Sequence, residues 1–285
     1  MWVAFTIMFE TSGNHFKDGG EIRSEGDRGD RQFVDLAPHY DELMRVVPYP
    51  QWAEYVWLLW DIHNHQAHRV LDCACGTGNL TFELARLGLN VVGIDLSAPM
   101  IAQAKAKAGQ STLASPNATP TVEFFEADLT RFDLKRRFDS ATCLYDSLNY
   151  ITEPDALSRA FRCVRAHLEI GGVWVFDMNS DWAFRADLFS QSNRDPRQAL
   201  NYGWQAHFDA ASRLCTVSMR FDRQKPDGTS ETFYETHRER AYLLPEIEAM
   251  LKQTGWTHLG SYDAYTLNRP RERSERWFFV ARNDD

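Results

Sequence analysis

Five short apolar runs lie between Arg69 and Asn179 with helical stretches among them, and this alternation constrains the fold more than any other feature. "RVLDCAC", "NVVGIDLS", "TVEFFEAD", "FDSATCLYDS" and "VWVFDMN" read as strands. "GNLTFELARLG" reads as a helix stopped by Gly88. "SAPMIAQAKAKAG" reads as a helix capped by Ser97 and ended by Gly109, and "EPDALSRAFRCVRAHLEIGG" as one closing on Gly171 and Gly172. "STLASPNATP" reads as a loop. Strands linked through helices pair in parallel, so one sheet with helices on both faces is expected.

The flanks complete the picture. "FVDLAPHYDELM" predicts a short helix entered after Pro38. "YPQWAEYVWLLWDIHNH" predicts a second, with Trp52, Tyr55, Val56 and Leu59 at helical spacing. After Asn179 the pattern changes. "YGWQAHFDAASRLCTVSMRFDRQKPDGTSETFYETHRERAY" reads as three long strands in an antiparallel meander, with "KPDG" as the second turn. The helix "LPEIEAMLKQTG" and the strands "WTHLGSYDAY" and "ERWFFVARN" follow. The fold class expected is α/β: a Rossmann-like seven-stranded sheet with helices on both faces, plus an inserted antiparallel β meander. Residues 1–32 form a polar, Gly-rich leader, disordered or loosely attached. Residues 33–180 form the α/β core, 181–242 the insertion, and 243–285 the helix and strand pair that complete the core.

Bulk properties narrow the partners. The net charge of the 285-residue chain is −9, which disfavours a phosphate backbone, so no nucleic acid is expected. No apolar run approaches the ~20 residues needed to span a bilayer, so no membrane is expected. "MWVAFTIMFE" lacks a basic n-region and a small-residue cleavage site and is not read as a signal peptide. Five scattered cysteines, an odd number, point to reduced thiols and a cytoplasmic protein.

Ligands of open α/β sheets sit beyond the carboxyl ends of the strands. The first strand ends at Asp72, Ala74, Gly76 and Gly78. The second ends at Asp95 and Leu96, the third at Ala127, Asp128 and Leu129, and the fourth at Leu144, Tyr145, Asp146 and Ser147. Gly76 and Gly78 let the backbone approach a ligand and bare its N–H groups. Asp95 stands 17 residues after Gly78, as suits a carboxylate that accepts from two ribose hydroxyls. Asp128 suits an exocyclic amine of adenine, and Met100 and Leu129 suit the two faces of the base. A lone G-x-G is as readily a tight turn into a helix; four strand ends carrying matched groups are a stronger signal. A nicotinamide-cofactor fingerprint would require glycine where Thr81 stands. Cys73 and Cys75 lack the second pair that a zinc site needs and read as packing thiols. His63, His65 and His68 read as a solvated helix terminus, and no metal is expected.

The stretch "VLDCACGTGNLT" resembles motif I of the class I S-adenosylmethionine (SAM)-dependent methyltransferases, roughly D-x-G-x-G-x-G, with Ala74 at the first glycine. The acids at Asp95 and Asp128 match as well, and the closing strand pair fits that family's order 3-2-1-4-5-7-6. The resemblance covers about residues 37–180 and 241–285. It implies SAM as cofactor, with Asp72 orienting the loop and the ligand's amino group. Gly76 and Gly78 would line the methionine portion, Asp95 would bind the ribose, Met100 would pack on adenine and Asp128 would bind its amine. Tyr40, in "HYDEL", resembles the tyrosine folded over the cofactor's carboxylate end; a helix-start aromatic in the core is the plain alternative.

The insertion resembles, in layout, one that sugar-amine and glycine N-methyltransferase-like enzymes place over the active site as a lid, an oligomer contact or both. Period-two alternation puts Phe233, Glu235, His237, Glu239 and Ala241 on one face of its third strand. A solvated sheet face with cross-strand ion pairs is the simpler expectation for it. Tyr145, Asp146, His207 and His237 are the candidate bases or substrate binders, with Tyr145 and Asp146 favoured. "YDSLNY" stands where enzymes acting on nucleic-acid bases or protein glutamine often carry [DN]-P-P-[FYW]. The expected activity is methyl transfer to N or O of a small-molecule acceptor, with a homodimer formed through the insertion. The alternatives are a SAM-binding protein without turnover and, more remotely, a NAD-linked oxidoreductase.

Overall fold

The structure, a computed structural model, describes residues 32–110, 120–195 and 197–285. The leader expected over 1–32 therefore lies outside the described residues except for Gln32, and the loop read over 111–120 does so except for Pro120.

Seven strands form the main sheet: β1 (Arg69–Cys73), β2 (Asn90–Asp95), β3 (Val122–Glu126), β4 (Phe138–Cys143), β5 (Leu168–Asn179), β10 (Thr257–Asp263) and β11 (Arg276–Arg282). Their order is β10-β11-β5-β4-β1-β2-β3. β1 to β5 pair in parallel, and β11 runs antiparallel between β5 and β10. Alternate residues serve opposite faces. Val70, Val91, Val175 and Phe278 pack under α2 (Tyr49–Ile62) and α3 (Asn79–Arg86). Leu71, Val92, Trp174, Phe176 and Phe279 pack under α5 (Pro154–Ala166) and α7 (Leu244–Gln253). Trp52, Tyr55, Val56 and Leu59 of α2 are buried, as their spacing predicts. Each such side chain contributes ~1.5–3 kcal/mol by leaving water. α4 (Ala98–Ala108) starts at Ser97, whose Oγ accepts from the Met100 amide.

Two elements differ from the expectation. Helix α5 ends at Ala166, not at the glycine pair. The backbone at His167 already belongs to the sheet: its carbonyl accepts from the Phe138 amide at 2.8 Å, so pairing with β4 wins over another helical turn. Gly171 and Gly172 instead lie inside β5. A Cβ on Gly172 would stand 2.9 Å from the Glu169 carbonyl, a contact that only glycine avoids.

The inserted sheet has four strands rather than three: β6 (Gln191–Asn193), β7 (Leu200–Asp209), β8 (Leu214–Gln224) and β9 (Ser230–Arg240), in that order and antiparallel. A short helix, α6 (Asp181–Arg185), precedes them, capped by Ser180. The "KPDG" turn closes as expected, with the Gly228 amide donating to the Lys225 carbonyl at 3.0 Å. Phe184, Tyr202, Val217 and Phe221 form the insertion's own core with Leu36. Asn149 joins insertion and main sheet: its side-chain amide donates to the carbonyls of Arg240 (2.9 Å) and Asn179 (3.2 Å).

Candidate active site

The loop after β1 is shaped by left-handed residues: Ala74 at φ 53°, Gly76 at 55° and Gly78 at 82°. Ala74 thus adopts the conformation that the family pattern gives to glycine, at a cost of ~1–2 kcal/mol. The two glycines differ in role. Above Gly76 the space is open: an added Cβ would meet Tyr40 at 4.0 Å and nothing nearer. Gly78 is buried, and a Cβ there would stand 2.7 Å from the Phe124 ring, so close packing at the start of α3 requires glycine. Gly93 on β2 is crowded by the same ring and by Cys75 Sγ, each 2.8 Å from where its Cβ would be. The cysteine flagged by sequence is therefore a space-filler, and the described residues hold no cluster able to ligate a metal.

Three carboxylates stand at the ends of β1, β2 and β3, where the cofactor is expected. Asp72, 2% exposed, accepts from the hydroxyls of Thr81 (2.5 Å) and Thr142 (2.9 Å). Burial pushes its pKa up to about 6 against the pull of those hydrogen bonds. Thr81, which occupies the place of the dinucleotide-fold glycine, is thus part of this anchor. Asp95 accepts from the amides of Gly76 and Ser97, both at 2.8 Å. Each of its oxygens keeps acceptor capacity for a ribose hydroxyl. Asp128 is half-buried, accepts from Thr130 and pairs with Arg131 at 2.9 Å. Met100, Ala127, Leu129 and Leu144 line the same cavity, and Leu96 stands 70% exposed at its edge.

Tyr40 is the first residue of α1 (Tyr40–Leu43), and its neighbour Asp41 fixes it over the loop. Asp41 accepts from the Thr77 hydroxyl (2.6 Å) and the Asn79 amide (3.0 Å), and it pairs with Lys107 at 2.8 Å.

At the end of β4 both Tyr145 (φ 66°) and Asp146 (φ 55°) are left-handed, a strained pair in non-glycine residues. The Asp146 amide donates to Asp177 at 2.7 Å, and Arg276 donates to Asp146 (2.7 Å) and Asp177 (2.8 Å). Asp146 is therefore the member of a buried ion cluster rather than a free base. Burial pushes its carboxyl up to about 6 even with the Arg276 charge opposing. Glu239, 3% exposed, lies beside it, and burial and the Asp146 charge raise its carboxyl well above the ordinary range.

The β9 face is not solvated. Glu235, His237 and Glu239 are all buried, and they face the core instead of pairing across strands in water. His237 bonds to Tyr150 and to Glu235, and it lines the cavity with Tyr145 and Asp146. His207 is exposed on β7 and does not line it. Of the linker histidines, His63 and His65 are half-buried and bonded to Tyr262 (2.7 Å) and Ser140 (2.8 Å) rather than simply solvated. Sequence reasoning missed Tyr150, Asp177 and Arg276. Tyr150 closes "YDSLNY" and was legible as a strand-end residue; Arg276 had no local signal.

These groups surround a cavity of about 1730 Å³, beyond the ~300–1,000 Å³ of most ligand pockets, so it has room for a cofactor and an acceptor together. The open space above Gly76 and the spare acceptors on Asp95 and Asp128 fit an adenosine bearing an amino-acid tail. Sheet order, loop and strand-end carboxylates define a nucleoside-binding α/β methyltransferase fold. A family model for a methyltransferase domain matches residues 70–172. A Geobacillus protein named as a methyltransferase is 32% identical over 255 residues, covering 88% of this chain and 99% of that one. A SAM-dependent methyltransferase structure from Clostridium acetobutylicum superposes with a TM-score of 0.74 at 29% identity, covering 88% of this chain and 98% of its own. A Streptomyces fradiae dTDP-3-amino-3,6-dideoxy-alpha-D-glucopyranose N,N-dimethyltransferase is 31% identical over 115 residues, 40% of this chain and 41% of that one. The chain belongs to the class I SAM-dependent methyltransferases, and SAM is its cofactor. No helix among the described residues is long and apolar enough to cross a membrane.

Proposed function

We propose that the protein methylates a nitrogen or oxygen of a small-molecule acceptor held between the strand ends and the inserted sheet. One observation carries this reading. The cavity is lined by Tyr145, Asp146 and Tyr150 of the core together with Trp204, His237 and Glu239 of the insertion. An acceptor there is enclosed by both sheets, which suits a small molecule better than a polymer. The bound cofactor supplies an electrophilic methyl group on a sulfonium. The chain's own part is to hold and align: Asp95 for the ribose, Met100 and Leu129 for the base, Asp128 for its amine, Asp72 and Gly76 for the tail under Tyr40. Such positioning and exclusion of water account for most of the catalysis that a displacement of this kind needs.

Nitrogen is favoured over oxygen at the acceptor end. Glu239 lies beside Asp146 with its carboxyl raised well above the ordinary range by burial and by that charge, and a cationic acceptor nitrogen there would draw it into the ionised form and stand against it. The amino-sugar activity in the name of the Streptomyces relative points the same way. In this reading residues 33–180 and 243–285 are the cofactor-binding core and 181–242 the lid. Tyr234, 47% exposed on β9, would lie in a homodimer contact. Cytoplasmic residence belongs to the same proposal and rests on the five free cysteines.

The test is an acceptor screen. The protein is incubated with SAM and a panel of amino sugars, simple amines and hydroxylated metabolites, and S-adenosylhomocysteine is measured by mass spectrometry. Release above the acceptor-free blank with one or more members supports the reading. SAM binding with no release from any member would favour a SAM-binding protein without turnover.

A further inference from the structure

Three side chains outside the cofactor end form an unbroken hydrogen-bonded line into the cavity. Tyr150 closes the turn of residues 147–150 after β4. Its hydroxyl lies 3.0 Å from His237 Nδ1, and His237 Nε2 lies 2.7 Å from Glu235 Oε2. His237 is 1% exposed. Glu235 also accepts from the amides of Phe33 (2.9 Å) and Leu36 (2.8 Å). Tyr150 lines the cavity beside Tyr145 and Asp146; Glu235 does not. The line therefore runs from the acceptor end to an anchored, buried carboxylate.

The direction of the hydrogen bonds follows from Glu235. Burial raises its carboxyl, but the hydrogen bond from His237 and those from the two backbone amides oppose this and hold it below the usual range. An ionised Glu235 accepts only, so His237 Nε2 carries the hydrogen. A neutral imidazole then leaves Nδ1 as acceptor, and the Tyr150 hydroxyl must donate to it. The Phe33 ring covers His237 at 4.4 Å and Tyr150 at 5.3 Å, shielding the line from water. The other ionisable groups facing it are Glu239 from β9, Tyr145 and Asp146 from the end of β4, and Tyr40 from α1.

We propose that Tyr150 is the catalytic residue that takes the proton from the acceptor heteroatom, and that His237 and Glu235 are positioning residues that make it able to do so. This rests on the acceptor site described above. The acceptor's proton passes to Tyr150 Oη while the phenol's own proton passes to His237 Nδ1. The imidazolium so formed stands against the Glu235 carboxylate, which neutralises it in place. The proton returns to water once the product leaves. Asp146 is a poorer choice, because Arg276 already holds its carboxylate at 2.7 Å. The arrangement applies to an acceptor that arrives protonated, an ammonium or a hydroxyl.

Two measurements on the full chain test this. The first needs neither cofactor nor acceptor: two-dimensional NMR of the protein with ¹⁵N-labelled histidine reads the His237 tautomer. Nε2–H is expected in the wild type, with the Nδ1 resonance shifted in Tyr150→Phe. A Nδ1–H tautomer, or a Nδ1 signal unmoved in Tyr150→Phe, overturns the line. The second measures S-adenosylhomocysteine release across pH with benzylamine, glucosamine and the active members of the acceptor panel. Tyr150→Phe is expected to lower kcat ~100-fold with SAM affinity unchanged, and His237→Gln to lower it and flatten the pH profile. Undiminished turnover in Tyr150→Phe overturns the proposal. A panel that gives no release with the wild type refutes the acceptor reading instead, and the NMR result then decides the wiring.

Discussion

The Gly76 amide donates to the Asp95 carboxylate at 2.8 Å, so the loop after β1 and the end of β2 are one unit before any ligand arrives. Asp95 therefore shapes the loop and, in the function proposed, also receives the ribose. Asp95→Ala removes both and is expected to weaken SAM binding at least tenfold, ~1.4 kcal/mol or more, by calorimetry. Unchanged affinity would remove the ribose assignment.

Arg276 holds Asp146 and Asp177 together where all three side chains are buried. Replacing it by Met keeps most of the volume and strands two buried carboxylates. The expected loss is ~3–5 kcal/mol of stability, read from urea unfolding. A loss below ~1 kcal/mol would mean that the carboxyls simply take up protons and that the cluster is not held by charge.

Asp72 gives a pH dependence whose sign can be worked out. Its folded pKa of about 6 lies above the ordinary 3.8 of an aspartate, so between those values the folded state binds more protons than the unfolded chain. Its contribution to stability is present in full below about pH 4 and is lost as pH rises through about 6. A shift of this size corresponds to ~3 kcal/mol at most. Asp72→Asn cannot titrate, so the difference in Tm, wild type minus variant, should fall across that window. A difference that stays flat, or rises, contradicts the assignment.

Gly78→Ala places a methyl group 2.7 Å from the Phe124 ring at a backbone φ of 82°. The expected cost is ~1–3 kcal/mol from the backbone alone, with the clash in addition. Phe124→Leu in the same chain should recover the clash and not the backbone cost, so a double-mutant cycle separates the two. Strict additivity would show that the ring does not set the position of the loop.

What the sequence disclosed, and what it withheld, divides along physical lines. The parallel core was legible because strand and helix periods differ and Ser97, Gly88 and Gly109 mark helix ends. The limit of α5 was not: Gly171 and Gly172 look like a helix stop, and only pairing with β4 shows that the strand has already begun at Leu168. The carboxylates proposed for the cofactor could be singled out because each lies at its own strand's end. The proposed acceptor end could not, because Arg276, Asp177, Glu239 and Tyr150 come from four separate stretches that only the folded sheet brings together. The β9 alternation was visible, but nothing local says which face is buried; the core and the residues from Phe33 to Leu36 cover it.

One ring, Phe124, gauges two glycines that lie far apart in sequence, Gly78 in the cofactor loop and Gly93 on β2, while Cys75 fills the rest of the gap beside Gly93. The four positions share a fixed volume. Among homologous chains they should therefore drift in concert: a smaller residue at 124 tolerates a larger one at 78 or 93, and a bulkier neighbour at 75 demands glycine at 93. The cofactor loop would then carry a co-inherited signature that reaches beyond its own motif.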